Sequence, residues 1–109
     1  MTLQEVHELV EGLGYPCAYY QFDEKTAVAP PFICWLMEGD NDFQADGINY
    51  ARIRPLSIEF YTDAKDFAGE TAIEDALDAL GIAYAKDETY IDSERMHETI
   101  YTMEVVINA

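Results

Sequence analysis

The stretch at residues 50–62 reads YARIRPLSIEFYT, and its second half alternates between apolar and polar side chains. In an extended chain, this alternation places three apolar residues on one face: Leu56, Ile58 and Phe60. The other face carries Ser57, Glu59 and Tyr61. A strand with one apolar face is typical of a sheet that covers a core on one side only. Pro55 cannot donate a ladder hydrogen bond, so we expect a bulge or an edge position there. At an edge position, the strand is free to pair with a neighbouring subunit.

Two amphipathic segments surround this region and predict helices. Thr2 and Glu5 have the spacing of a capping box, and the apolar residues that follow recur at helical spacing until Gly14. A second apolar stripe at 67–80 has acidic residues beside it and is closed by Gly81. Both helices therefore have one face that can pack on a sheet.

The remaining apolar runs predict strands at residues 17–22, 32–37, 83–92 and 96–107. The run at 32–37 is continuous rather than alternating, so we expect it to be buried on both faces. The predicted order is α-β-β-β-α-β-β, which favours the α+β class: a mostly antiparallel sheet of four to five strands with two helices packed on one face. A length of 109 residues fits a single domain, residues 1–109.

The charge balance narrows the choice of partners. The chain has 22 acidic and 6 basic residues, a net charge of −16. Binding to nucleic-acid phosphates or to an anionic membrane needs clustered Lys and Arg, so we expect neither partner. Residues 1–11 lack the basic and apolar blocks of a signal peptide, and two cysteines are too few for a secreted disulfide scaffold. Synthesis in a reducing cytoplasm is the expectation.

An acidic segment at 38–47 is the best candidate for a functional loop, either a long hairpin loop or a flexible flap. A calcium loop needs Gly at position 6 and Glu at position 12. Counting from Asp42 puts Gly47 at position 6 but Ile53 at position 12, so we interpret the segment as a solvated turn. We expect it to order on assembly through Asp40, Asn41, Asp42, Phe43, Asp46 and Gly47.

The sequence offers no pattern for catalysis or for a bound metal or cofactor. His7, His97, Cys17 and Cys34 have no metal-ligand spacing. The two cysteines could supply two ligands if the first two strands pair, but nothing in their spacing indicates that they converge. The chain lacks a G-x-S-x-G motif and a Gly-rich phosphate loop, and its many carboxylates make any single pair uninformative. No basic residues interleave with the aromatic set, which we expect to fill the core and a subunit interface: Tyr19, Tyr20, Phe22, Phe32 and Trp35. We expect a protein that is not an enzyme.

Several short phrases occur in a characteristic order. They are CAYYQF at 17–22, PPFI at 30–33, the loop with Asp46 and Gly47, IEFYTD at 58–63, YIDSE at 90–94 and YTME at 101–104. Together they resemble the small tail-component proteins of long-tailed phages and prophages of Gram-positive bacteria, and within those the tail terminator, or tail completion, family.

The resemblance implies a virion structural protein rather than an enzyme. Proteins of this family are similar in having an α+β fold and in assembling with copies of themselves as rings, often hexameric. The implied partners are tail-tube and neck proteins, because the ring caps the finished tube and joins it to the head. The implied location is the tail or neck of the virion after assembly in the cytoplasm of the bacterial host.

Two other function classes remain open at this point. A small acidic protein can imitate DNA and occupy the basic groove of a nucleic-acid-binding protein, and the charge supports this DNA-mimic inhibitor as well as it supports the tail protein. A small acid–base enzyme has the weakest support. Oligomeric state and the charge of the partner separate the first two.

Overall fold

The computed structural model describes residues 1–23 and 27–107, and these ranges form two helices, a five-stranded sheet and a two-stranded sheet. The elements are α1 (Leu3–Glu11), β1 (Cys17–Tyr19), β2 (Phe32–Leu36), β3 (Phe43–Ala45), β4 (Ile48–Ala51), β5 (Ile53–Thr62), α2 (Phe67–Ala79), β6 (Tyr84–Ile91) and β7 (Met96–Val106). The α+β prediction is confirmed. Part of the loop between the first two strands, residues 24–26, lies outside the described residues.

The large sheet has the strand order β1-β2-β5-β7-β6. All neighbours are antiparallel except β1 and β2, which run parallel. The sheet is therefore mostly antiparallel with five strands, as expected. Its centre is β5, where Ile58 lies between Trp35 of β2 and Tyr101 of β7.

The expectation that the Pro55 strand offers an edge to a neighbouring subunit is wrong, because β5 is the central strand, although Pro55 itself pairs on one side only. The neighbouring strand β2 ends opposite Ser57 of β5. At Pro55, β5 therefore pairs with β7 alone among the described strands, through Glu104. A proline is tolerated here because the side toward β2 has no partner strand that needs a donor.

Both helices pack on the same face of the sheet, as predicted. Val6 and Val10 of α1 and Ile73 and Leu77 of α2 are almost fully buried in one cluster. The sheet contributes to this cluster the alternating residues of its two central strands: Leu56, Ile58, Phe60, Tyr101, Met103 and Val105. The core thus lies between the helices and the β5–β7 ladder, and the opposite face of the sheet is covered by no helix within the described residues.

The helix boundaries follow from the residues that cap them. Thr2 Oγ1 accepts a hydrogen bond from the Glu5 N–H, and the Glu5 carboxylate accepts one from the Thr2 N–H, which is the predicted capping box. Asp66 caps α2 by accepting from the Gly69 N–H at 2.9 Å. Gly81 has a φ of +68°, so it reverses the chain after α2 without a steric penalty.

The structure differs from the prediction in the acidic segment at 38–47. Instead of one long loop, the chain forms a hairpin of β3 and β4, so the order becomes α-β-β-β-β-β-α-β-β. We call residues 43–51 the arm. The arm is a separate two-stranded sheet, and the molecule measures 49 × 30 × 23 Å.

Candidate functional site

The tip of the arm is a two-residue turn formed by Asp46 and Gly47. Their φ angles are +53° and +73°, and Ala45 pairs with Ile48 across the turn. Two successive residues with positive φ are typical of the type I′ turn, which Asp-Gly strongly favours because its twist matches that of the flanking strands. These two candidate residues therefore build the tip rather than part of a calcium site.

The base of the arm is anchored by Asp42, whose side chain is only 7% exposed. One carboxylate oxygen accepts hydrogen bonds from the Ile53 N–H at 2.9 Å and from the Arg54 guanidinium, and the other accepts from Asn49 at 2.7 Å. Desolvation raises the pKa of Asp42, but these hydrogen bonds and the charge of Arg54 outweigh it and hold the pKa below its usual value. Asp42 thus ties β3, β4 and β5 together.

Asn41 strengthens the same junction. Its N–H donates to the Ile53 carbonyl at 2.8 Å, and its side-chain amide donates to Glu104 of β7 at 2.9 Å. Asp40, the remaining candidate of this segment, accepts a long 3.5 Å hydrogen bond from the Asp42 N–H. The predicted assembly residues therefore divide into an anchor at the base and a turn at the tip.

One face of the arm is apolar and uncovered. Phe43, Ile48 and Tyr50 are 58%, 55% and 60% exposed, and the rings of Phe43 and Tyr50 lie 6.2 Å apart. Strand alternation puts Gln44 and Asn49 on the other, polar face. An alternating apolar face normally lies against a core, so this one is available to another surface.

A groove of about 440 Å³ lies at the base of the arm. It is lined by Leu3, Tyr19, Trp35, Met37, Gly39, Arg52, Arg54 and Ile107. Leu3 and Tyr19 form an exposed apolar rim, at 61% and 53% exposure. Across residues 1–23 and 27–107, the exposed Arg52 side chain has no ion-pair partner.

The open face of the large sheet carries a second polar cluster, around Glu59. The Tyr61 hydroxyl donates to the Glu59 carboxylate at 2.6 Å, and Glu98 of the neighbouring strand lies beside them. Burial raises the pKa of Glu59, and the nearby Glu98 and Glu38 raise it further. Burial also raises the pKa of Tyr61, so its phenol keeps the proton that it donates.

The cysteines do not come together in the way that a metal site requires. Strands β1 and β2 do pair, but the register sets Cys17 opposite Ile33 and Cys34 opposite Ala18, so the two thiols lie on opposite faces of the sheet. Burial raises the pKa of Cys34 to about 11, which keeps it a protonated thiol. In the part of the chain that the structure describes, no group of three or more His, Cys, Asp and Glu side chains is placed to hold a metal ion.

The aromatic set is divided between core and surface. Trp35 is 8% exposed and belongs to the core, where Tyr19 meets its ring edge-on at 4.9 Å. Phe32 stacks on Tyr61 on the open face. Tyr20 is 59% exposed, and the Tyr19–Trp35 and Phe32–Tyr61 pairs lie on opposite faces of the sheet, so the set does not form one continuous platform.

The sequence patterns identified the acidic segment at 38–47 as a candidate, but not its hairpin, the groove or the Glu59 cluster. The alternation at 56–61 does place Glu59 and Tyr61 on one face, and the pairing with Glu98 depends on the register of β5 with β7. The groove combines residues from five separate segments, which no local pattern reveals.

Comparison of the sequence with models of known protein families gives no match, and comparison with curated proteins gives none either. Within the described ranges, neither helix has the length and apolar character needed to cross a membrane.

Proposed function

We propose that this protein is a non-enzymatic phage tail terminator, which forms a ring of its own copies, caps the tail tube and joins it to the head in the virion. The observation that carries the proposal is the arm. A two-stranded hairpin is at best marginally stable alone, yet here its apolar face is left in solvent while its base is fixed by the Asp42 hydrogen bonds. Such an element is suited to protein–protein contact.

The charge supports the same proposal at the level of the ring. A channel wall with many carboxylates repels the phosphates of a passing genome, so DNA slides through without binding. The partners in this proposal are further copies of the chain, tail-tube proteins and neck proteins.

Native mass spectrometry over a concentration series, with and without a tail-tube protein, tests the proposed function. We expect a closed ring, either from the protein alone or on the tube, because each copy offers surfaces that are complete only in an assembly. A monomer that ignores the tube protein and binds a basic nucleic-acid-binding protein would contradict the proposal and favour the DNA-mimic inhibitor.

A further inference from the structure

The base of the arm is hydrogen-bonded to the large sheet, while its apolar face is exposed. Asn41 and Asp42 fix both of its strands to β5, through the Ile53 backbone and the Arg54 side chain. The groove lies at this same base, next to Gly39 and Arg52, and none of its lining residues belongs to the arm. Among residues 1–23 and 27–107, nothing covers the face that bears Ile48 and Tyr50, which are 55% and 60% exposed.

The groove is complementary to the arm in both polarity and charge. It offers an apolar rim of Leu3 and Tyr19 to the apolar face of the arm. It also offers the unpaired Arg52, whereas Asp46 at the tip of the arm forms no ion pair among the described residues. Because Asp46 on the arm and Arg52 in the groove both lack a partner, the orientation of arm and groove that brings the two side chains together is favoured.

We propose that the arm of one copy lies in the groove of a second copy, with Ile48 and Tyr50 against Leu3 and Tyr19 and with Asp46 paired to Arg52. This inference rests on the proposed function, since it names the contact that builds the ring. Each copy has one arm and one groove on different surfaces, so the contact is head-to-tail, and repeating it closes a ring when the rotation permits.

The net charge argues for this site over other self-contacts. Two copies that each carry 16 negative charges repel each other, so a contact that brings an unpaired cation against a carboxylate is opposed less than a contact between carboxylates. In the described residues, Lys65, Lys86 and Arg54 are already paired with carboxylates, which leaves Arg52 and Arg95. Of these, Arg52 lies in an apolar groove, whereas Arg95 lies in the exposed β6–β7 turn.

The test is a complementation experiment with two variants. Ile48→Asp removes a functional arm and keeps the groove, while Leu3→Asp removes the groove and keeps the arm. Each variant alone should be monomeric, with association weakened about tenfold or more. An equimolar mixture should give a heterodimer that grows no further, because it contains one intact arm and one intact groove.

Controls separate this contact from general effects on folding and charge. Phe67→Asp is the matched variant, because Phe67 is 71% exposed on α2 and the change in charge is the same. It should assemble like the wild type. Ile48→Thr keeps β propensity and should weaken assembly as well, which shows that loss of the apolar contact, rather than an unfolded arm, is responsible.

The outcomes distinguish this inference from the proposed function. If the wild type forms rings and both aspartate variants form the same rings, or if their mixture gives no heterodimer, the arm-in-groove contact is wrong and the tail-terminator function still stands. If the wild type remains monomeric even with the tail-tube protein, both proposals are wrong.

Discussion

At the scale of single residues, Gly69 is a position of α2 that has no room for a side chain. A Cβ atom at this position would lie 2.6 Å from Asp66 Oδ2, 2.8 Å from the Tyr15 hydroxyl and 2.9 Å from Phe60 Cζ. Packing therefore requires a glycine at this position of α2. No sequence pattern contains this information, because the three neighbours belong to three different segments.

We expect Gly69→Ala to destabilise the protein by about 1–3 kcal/mol, because the added methyl group displaces the helix cap and a core ring. Urea unfolding followed by circular dichroism measures the effect. In the exposed part of the same helix, Ala72→Gly should cost about 1 kcal/mol through helix propensity alone. A more stable Gly69→Ala variant would show that α2 does not approach β5 this closely.

Glu59 provides a pH-dependent prediction. Its pKa is raised in the folded state, by burial first and then by Glu98 and Glu38, so folding favours the protonated carboxyl. The stability that this carboxyl contributes is fully present below its unfolded pKa, near 4.5, and is lost as the pH rises through the higher folded pKa.

Glu59→Gln should therefore raise the melting temperature at pH 7 and leave it unchanged near pH 4, where the wild-type carboxyl is protonated. Thermal unfolding at both pH values measures this difference. Glu94→Gln, in an exposed turn, removes the same charge and controls for the net charge of the chain. An equal effect of both substitutions at pH 7 would contradict the assigned environment of Glu59.

At the scale of elements, the helices and the central strands were predictable because local signals define them. The Thr2–Glu5 capping box, Gly81 and the alternation at 56–61 each act within a few residues. The arm was missed as a hairpin because its strands have only three and four residues, too short for an alternation to be recognised. Its Asp46–Gly47 turn was visible in the sequence and is the signal that identifies it.

The anchoring of the arm gives a prediction at this scale. Asp42→Ala removes the carboxylate that accepts hydrogen bonds from Ile53, Asn49 and Arg54. The arm should then open locally while the core stays folded. Hydrogen exchange should become faster at residues 43–51, with the amides of β5 and β7 near Ile58 and Tyr101 unchanged. Asp46→Asn, which keeps a residue that tolerates positive φ, should leave the exchange of the arm unchanged. Equal protection in all three proteins would show that Asp42 does not hold the arm.

At the scale of the whole molecule, the net charge of −16 opposes contact between two copies. Repulsion between two chains of net charge −16 is screened as the Debye length falls from about 10 Å at 0.1 M salt to about 3 Å at 1 M. We therefore expect self-association, measured by sedimentation velocity, to strengthen as NaCl increases. Binding to a basic partner would show the opposite dependence, so weaker assembly at high salt would contradict an apolar contact between like copies.

The candidate site was predictable only in part at this scale. The sequence identified the segment from Asp40 to Gly47, but the division into an anchor and a turn depends on hydrogen bonds to β5. The groove could not be predicted, because it depends on where α1, β1 and the chain after β7 meet the base of the arm. The order of strands, with β1 parallel to β2, likewise depends on long-range pairing that local patterns do not specify.

We propose that copies of this chain join head-to-tail, arm in groove, to close a ring. The decisive experiment is negative-stain electron microscopy of the largest species separated from the wild-type protein, with the tail-tube protein present. We expect closed rings with a central channel, which disappear when Ile48→Asp and Leu3→Asp are mixed in place of the wild type. Particles that remain single chains, or two-fold dimers without a channel, would contradict it.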